Sequence, residues 1–243
     1  MIFTLYNNPK LYDACTKYKE DDIDFYNSWA KKISGSILEL ACGTGRIAGP
    51  LLKSGHNYTG LDISEIFINT CKSKYPEANF IFADMKDFKL NQLFDLIIIP
   101  FNSLLHLLTD KDLSSCFNCI KNHLSNNGVL LIDIFVPDPE LLYRNPNKKY
   151  KEMIIDHPDV GRCDVWQKSK YDQKTEINKI NWIFDINNNQ NDEYQFEMRM
   201  LYPDTIDRLL FETGFLIKQK LGDYDGRSFN ENSLLQIYVC SKK

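Results

Sequence analysis

The stretch from Ile37 to Ala48, ILELACGTGRIA, constrains the fold of this chain more than any other. An apolar strand leads into a tight glycine turn, and a helix is predicted to start directly after it. Gly43 and Gly45 have no Cβ, so the backbone can adopt positive φ and pass close to a ligand. A helix beginning here points unpaired N–H groups at the turn. Doubly wound α/β proteins hold nucleotides and nucleosides in this way, at the C-terminal edge of a parallel sheet.

The glycine spacing by itself leaves two classes of ligand open. Gly43, Gly45 and Ala48 also satisfy the dinucleotide-binding fingerprint, which allows alanine at its third position. Glu39 lies in an otherwise apolar strand, where a carboxylate is costly without a partner, and the cationic amino-acid end of a ligand would supply one. The alternative is that Glu39 only accepts a hydrogen bond from a backbone N–H. Asp62 ends the next apolar run and can accept from ribose hydroxyls with either ligand.

Apolar strands and helices alternate through the rest of the chain. Strands are predicted at 36–41, 57–61, 79–83, 94–99 and 128–135, and helices at 23–33, 46–53, 64–75 and 110–124. Because several of these strands are continuously apolar, we expect helices to cover both faces of a parallel sheet with right-handed crossovers. Pro203 opens a further helix, which Gly214 ends, and a long hairpin follows. The predicted fold class is therefore α/β, with a doubly wound, mostly parallel sheet and an antiparallel last strand.

Seven segments occur in the order found in class I S-adenosylmethionine-dependent methyltransferases. They are ELACGTG from Glu39, GLDIS from Gly60, ADM from Ala83, FDLIIIPFNS from Phe94, LSNNGVLLID from Leu124, YP from Tyr202 and ETGF from Glu212. The chain resembles this family over most of its length, with residues of about 145–200 outside the likeness. The resemblance implies a seven-stranded sheet, methyltransferase activity and S-adenosyl-L-methionine as cofactor, with S-adenosyl-L-homocysteine as product.

The resemblance also assigns a set of cofactor-binding residues. They are Glu39, Ala41, Gly43, Gly45, Arg46, Asp62, Ile63, Asp84, Met85 and Pro100. Asp84 is expected to accept from the adenine N6, while the next backbone N–H donates to N1; the alternative is a turn aspartate. Tyr12 and Tyr18 are expected to cover the methionine end of the cofactor, although they could instead only pack the N-terminal segment onto the sheet.

The acceptor side of the site is predicted after the fourth strand. Pro100 favours an exposed loop over the site, in which Asn102 and Ser103 orient the methyl acceptor. His106 is a candidate proton acceptor, or a helical histidine that faces solvent. The candidate substrate-binding residues are Phe101, Arg199 and Tyr224. The sequence shows no Ser-His-Asp set and no metal-ligand spacing, so no metal is expected, and this favours a carboxylate or an amine that loses its proton to water as acceptor.

The resemblance divides the chain into three parts. Residues 1–35 form an N-terminal helical cap, residues 36–144 with 202–243 form the methyltransferase domain, and residues 145–201 form an antiparallel β insertion. Apolar and polar residues alternate in the insertion, which predicts three or four strands. We expect the insertion to act as a lid or substrate platform, with an inert or dimerising layer as the alternative.

Composition limits the classes of binding partner that are expected for this chain. The net charge is −4 and no long Lys/Arg run occurs, which disfavours a nucleic-acid substrate, and no apolar run approaches a membrane span. The N-terminus lacks the pattern of a secretory signal, so a cytoplasmic location is expected. Seven scattered cysteines argue against a disulfide framework. The expected partner is a small molecule or short peptide, with the chain acting as monomer or homodimer.

Two other functions stay open from the sequence. An NAD-dependent oxidoreductase shares the glycine turn, although the Tyr-x-x-x-Lys of short-chain enzymes is missing where such an enzyme would need it, since Thr175 stands four residues after Tyr171. A catalytically silent nucleoside-binding module would keep the turn and lose the chemistry.

Overall fold

A computed structural model describes residues 5–187 and 190–243, and it divides them into two compact units. The larger unit contains residues 20–136 and 201–243, and the smaller one contains the described residues within 5–19 and 137–200. The sequence predicts one cap for residues 1–35. In the structure the first helix instead clusters with the insertion, because it packs its apolar face there.

The helices and strands follow the predicted alternation. The helices are α1 Pro9–Thr16, α2 Ile23–Ile33, α3 Ala48–Lys53, α4 Glu65–Lys74, α5 Asp110–His123, α6 Pro139–Leu142 and α7 Pro203–Glu212, with 3-10 turns at Leu5–Asn7 and Ser103–His106. The strands are β1 Ile37–Leu40, β2 Tyr58–Asp62, β3 Asn79–Phe82, β4 Phe94–Ile99, β5 Leu124–Phe135, β6 Tyr150–His157, β7 Gly161–Asp172, β8 Ile177–Asn187, β9 Gln190–Arg199, β10 Phe215–Leu221 and β11 Leu235–Lys242.

The larger unit is built on a seven-stranded sheet in the order β10-β11-β5-β4-β1-β2-β3. The five strands from β5 to β3 run parallel, and β11 lies antiparallel between β10 and β5. The central strands β1 and β4 are almost wholly buried, as expected when helices cover both faces. The predicted fold class and the antiparallel insertion of the last strand are confirmed.

Helix α2 shows how the sequence sets an element of this unit. Phe25, Tyr26 and Ala30 share one face and are buried in the core beside the sheet. Ser34 ends the helix in the left-handed conformation, and its N–H donates to the carbonyl of Ala30. Asp22 stands at the N-cap position of α2, but its side chain makes no capping hydrogen bond and instead accepts from Arg46.

The smaller unit contains the four-stranded antiparallel sheet β6-β7-β8-β9, which confirms the predicted insertion strands. Its core joins Leu11 and Cys15 of α1 to Val165, Phe184 and other residues of the sheet. Alternate residues of β7 are buried, because successive side chains of a strand point to opposite faces. Over residues 5–187 and 190–243, no helix combines the length and apolar character of a membrane span.

Candidate cofactor and acceptor site

The glycine turn lies between β1 and α3 in the larger unit. Ala41, Gly43 and Gly45 all have positive φ, at 56°, 55° and 86°. The predicted helix start at Arg46 is wrong by two residues, since α3 begins at Ala48. The residues between 41 and 47 therefore form an open backbone loop, which glycine makes possible and which brings main-chain groups close to the end of β1.

Asp62 ties this loop to the end of β2. Its side chain is buried, Oδ2 accepts from the Gly43 N–H at 2.8 Å, and Oδ1 accepts from the Ser64 N–H at 2.8 Å. Burial raises the pKa of Asp62, and the backbone N–H groups of Ser64, Gly43 and Ile63 oppose that rise. A carboxylate has about four acceptor positions, so capacity is left for a ligand hydroxyl. The neighbouring Ile63 is 65% exposed, which leaves an apolar surface beside the acid.

Glu39 is fully enclosed in β1, and its partner is a side chain rather than the backbone group considered from the sequence. Its Oε2 accepts from the Tyr58 hydroxyl at 2.5 Å. Burial raises the pKa of Glu39 to about 8, although the hydrogen bond from Tyr58 acts in the opposite direction. A cationic ligand group beside Glu39 would favour its charged form.

Arg46 connects the glycine loop to two other segments. Its guanidinium donates to both oxygens of Asp22, at 2.6 and 2.8 Å, and Asp22 has no exposed surface. The guanidinium carbon lies 5.3 Å from the centre of the Phe101 ring, within cation–π range. The sequence singled out Arg46 and Phe101, but neither their contact with each other nor the pairing of Arg46 with Asp22.

Asp84 and Met85 follow β3 as predicted. The Asp84 side chain accepts from the Lys86 N–H at 3.0 Å, and its carbonyl accepts from the Asp87 N–H. Asp84 therefore makes the hydrogen bonds of a turn aspartate, the alternative considered from the sequence. Its second oxygen is 3.8 Å from the Lys86 ammonium. The predicted adenine role of this turn stays a prediction.

The acceptor segment after β4 is partly enclosed, whereas the sequence predicted an exposed loop. Pro100 is buried, and Phe101, Asn102, Ser103 and His106 are half-buried. The segment is held from β5, because the Asn102 N–H donates to the Asp133 carbonyl and the Asn102 Oδ1 accepts from the Phe135 N–H. The Ser103 hydroxyl donates to the Pro100 carbonyl at 2.8 Å. Its oxygen therefore has lone pairs left that could accept a hydrogen bond from the methyl-accepting substrate.

Three candidate residues lie in the smaller unit. Tyr12 packs against that unit's core, and Tyr18 is 68% exposed. Arg199 donates to Glu176 from Nε and Nη2, at 3.3 and 3.1 Å. Their predicted roles in cofactor or substrate binding stay predictions.

Sequence reasoning missed several residues that shape the site. Asp133 and Tyr26 are buried and bonded to each other, and Tyr224, a substrate candidate, donates to the same carboxylate. The signal for Asp133 was present, since an acid in an apolar strand is the feature that singled out Glu39. Among the described residues, no cluster of three or more His, Cys, Asp or Glu could hold a metal ion.

A glycine loop after β1, an acid at the end of β2 and an antiparallel β11 are the features by which this chain resembles the class I S-adenosylmethionine-dependent methyltransferases. Residues 37–128 match the family model described as "Methyltransferase domain". The structure of the CcbJ methyltransferase from Streptomyces caelestis shares the fold at a TM-score of 0.83, with 19% identity and 98% of both chains covered.

Two further proteins extend the comparison. SAM-bound CalS10, an amino pentose methyltransferase from Micromonospora echinaspora, has a TM-score of 0.73, 16% identity and 96% coverage of both chains. The dTDP-3-amino-3,4,6-trideoxy-alpha-D-glucopyranose N,N-dimethyltransferase of Streptomyces venezuelae is 29% identical over 100 residues, which are 41% of this chain and 42% of that protein. The chain spans about half of the curated relatives it matches, from 39% to 52%. These matches confirm the predicted family resemblance and support the predicted cofactor.

Proposed function

We propose that this protein transfers a methyl group from S-adenosyl-L-methionine to an amine on a small molecule. The observation that carries the proposal is the buried Asp62 carboxylate bonded to Gly43 of the positive-φ loop, with Ile63 exposed beside it. An acid next to an open backbone loop and an uncovered apolar side chain suit a ribose and a flat base. The residues present therefore fit a nucleoside cofactor.

Each half of the cofactor has a group in the chain suited to it. Asp62 would accept from the ribose hydroxyls, and the Asp84–Met85 turn would meet the adenine. Glu39 would face the amino-acid end, where a cation would draw its pKa down from about 8. When bound, the cofactor supplies an electrophilic methyl group on a sulfonium.

The chain itself supplies alignment and exclusion of water. Positioning alone can contribute ~7–11 kcal/mol to a displacement of this kind. The half-buried turn at Phe101–Ser103 is rigidly bonded to β5, so it can hold an acceptor in a fixed place. A neutral amine attacks directly, and the proton it then loses can pass to water or to His106.

The choice of an amine over a carboxylate rests on relatives. The curated relative from Streptomyces venezuelae is an N,N-dimethyltransferase of an amino sugar, and CalS10 is an amino pentose methyltransferase. Both names describe nitrogen-bearing small molecules. A hydroxyl or carboxylate on a small molecule or short peptide is the broader class within which this proposal falls.

Two measurements, made one after the other, test the proposal. Calorimetric titration should show that S-adenosyl-L-homocysteine binds and that NAD does not; the reverse result would establish an oxidoreductase instead. Radiolabelled S-adenosyl-L-methionine is then offered with panels of amino sugars, sugar carboxylates and polyhydroxyl compounds. The radiolabelled methyl group should be transferred to the amines by the wild type, and the Asp62→Ala variant should lose this transfer. Label entering only carboxylates would contradict the amine assignment, and binding without transfer to any panel would favour a silent module.

A further inference from the structure

The carboxylate of Asp133 joins three separate segments of the larger unit at one oxygen. Its Oδ2 accepts from the Tyr26 hydroxyl at 3.1 Å, the Phe101 N–H at 3.2 Å and the Tyr224 hydroxyl at 2.6 Å. Asp133 lies in β5 and is 1% exposed. A buried carboxylate is costly unless it is hydrogen-bonded, so the three donors and the acid depend on one another.

The segment held in this way has an unusual backbone. Phe101 and Asn102 are consecutive non-glycine residues with positive φ, at 50° and 64°. Such conformations persist only where the surrounding structure over-determines them, and they concentrate at functional sites. Here β5 supplies the constraint through the Asp133 side chain, the Asp133 carbonyl and the Phe135 N–H.

The other side of the same turn faces the glycine loop. The Arg46 guanidinium lies against the Phe101 ring and is fixed in turn by both oxygens of Asp22. Phe101 is therefore held by its backbone to Asp133 and by its ring to Arg46. These contacts form a continuous connection from the loop that would hold the cofactor to the turn that would hold the acceptor.

We propose that Asp133 is a positioning residue for methyl transfer, which fixes the Phe101–Asn102 turn with the hydroxyls of Tyr26 and Tyr224 as its donors. This rests on the proposed function, because the turn matters to catalysis only if an acceptor is aligned there. A misplacement of about 1 Å at a reacting centre can cost ~100-fold in rate. Tyr224 thus acts through Asp133 and not by contact with the substrate.

The protonation state of the donors agrees with this role. Burial, followed by the nearby Asp133 carboxylate, raises the pKa of the Tyr224 hydroxyl far above its ordinary value, and the same causes act on Tyr26. Both hydroxyls therefore keep their protons and donate throughout the working pH range.

The test uses Tyr224→Phe as its main variant, since the side chain is only part-buried and the ring is kept. Asp133→Asn serves as the second variant. Tyr238→Phe is the matched control, because its buried hydroxyl also donates to a side chain, Gln236, but makes no bond to Asp133. Three quantities are measured on the full chain: the affinity for S-adenosyl-L-homocysteine, the amide hydrogen exchange of residues 101–103, and kcat and KM for labelled methyl transfer.

For Tyr224→Phe we expect amide exchange at residues 101–103 to quicken at least ~10-fold and kcat to fall ~10- to 100-fold, with the affinity for S-adenosyl-L-homocysteine within about twofold of wild type. Tyr238→Phe should leave the exchange and kcat unchanged. Unchanged exchange or unchanged kcat in both Tyr224→Phe and Asp133→Asn would overturn the positioning role while the proposed function stands. A wild type that neither binds S-adenosyl-L-homocysteine nor labels an acceptor would overturn both.

Discussion

Two buried acids, Glu39 and Asp62, dominate the chemistry of the site at the scale of single residues. Asp62 is stabilised by backbone N–H groups of the glycine loop and of the segment after β2. Glu39 accepts a hydrogen bond from the Tyr58 hydroxyl and lies within β1. Their environments differ, so the two carboxyl groups respond differently to pH and to a ligand.

Glu39 should make the stability of the ligand-free protein depend on pH. The pKa of its carboxyl group is about 8 in the folded protein against an ordinary value of 4.5, so the folded state holds the proton more tightly than the unfolded chain. The contribution of Glu39 to the free energy of unfolding is therefore greatest below pH 4.5 and falls as pH rises towards about 8. Urea unfolding of wild type and Glu39→Gln should show the variant gaining relative stability across that range. Parallel stability curves would contradict the raised pKa.

Asp62→Ala should weaken the binding of S-adenosyl-L-homocysteine by ~1–3 kcal/mol, since it removes the proposed acceptor of the ribose hydroxyls and leaves the Gly43 N–H without the Asp62 carboxylate. Isothermal titration measures the change. Asp24→Ala removes the same charge from an exposed position of the same unit and should leave the affinity unaltered. Equal losses in the two variants would mean that Asp62 acts only through net charge.

At the scale of elements, the candidate site residues are positioned more by loops and their hydrogen bonds than by helices. Helix α3 has only six residues, and the loop before it is held by Asp62 and by Arg46. The turn after β4 is held by β5. Helix α5, which follows that turn, has a complete N-terminal cap of its own: the Thr109 hydroxyl accepts from the Asp112 N–H and donates to the Asp112 carboxylate.

Thr109→Ala should lower the free energy of unfolding by ~1 kcal/mol, because the first turn of α5 loses its cap. Thr70→Ala is the matched control, since Thr70 lies inside α4 and donates back to the Ile66 carbonyl, where alanine is at least as favourable to the helix. Denaturant unfolding of both variants measures the difference. A loss of similar size in both would show that the cap contributes nothing specific.

The described residues form two compact units with separate cores, and the candidate cofactor residues with the best-defined geometry all lie in the larger one. Ligand binding to the folded state raises its stability by mass action. The size of that effect depends on the ratio of ligand concentration to Kd and on the entropy of unfolding, which scales with chain length.

S-adenosyl-L-homocysteine at about 100 times its Kd should stabilise the folded protein by ~2.7 kcal/mol. For a chain of this length the Tm should then rise by about 5–11 °C. NAD at the same concentration should leave the Tm unchanged. Thermal unfolding followed by calorimetry tests both, and a larger rise with NAD would refute the cofactor assignment.

Much of the site could be predicted from local sequence. The helix at Ile23–Ile33 and the turn–helix junction at Ser64 follow from apolar spacing and capping residues that lie within one or two turns of each other. The position of Asp62 follows from the end of an apolar run. Such features were accessible because their physical causes act between near neighbours in the chain.

The partners of the buried polar groups were not accessible in this way. Asp133 meets Tyr26 and Tyr224 across 107 and 91 positions of the chain, and Asp22 pairs with Arg46 across 24 positions. Which donor reaches which carboxylate depends on how strands and loops pack together. No local sequence pattern indicates which distant residues will come within hydrogen-bonding distance. The half-buried turn at Phe101–Asn102 was predicted as exposed for the same reason.

The sequence by itself determined the order of elements, the glycine loop and the acids at the strand ends, because periodicity and residue chemistry act locally. Only the tertiary structure decided which of those acids are enclosed, what donates to them, and that α1 packs with the insertion. Burial and long-range hydrogen bonds set the charge and position of a side chain, and both arise only once distant segments have packed.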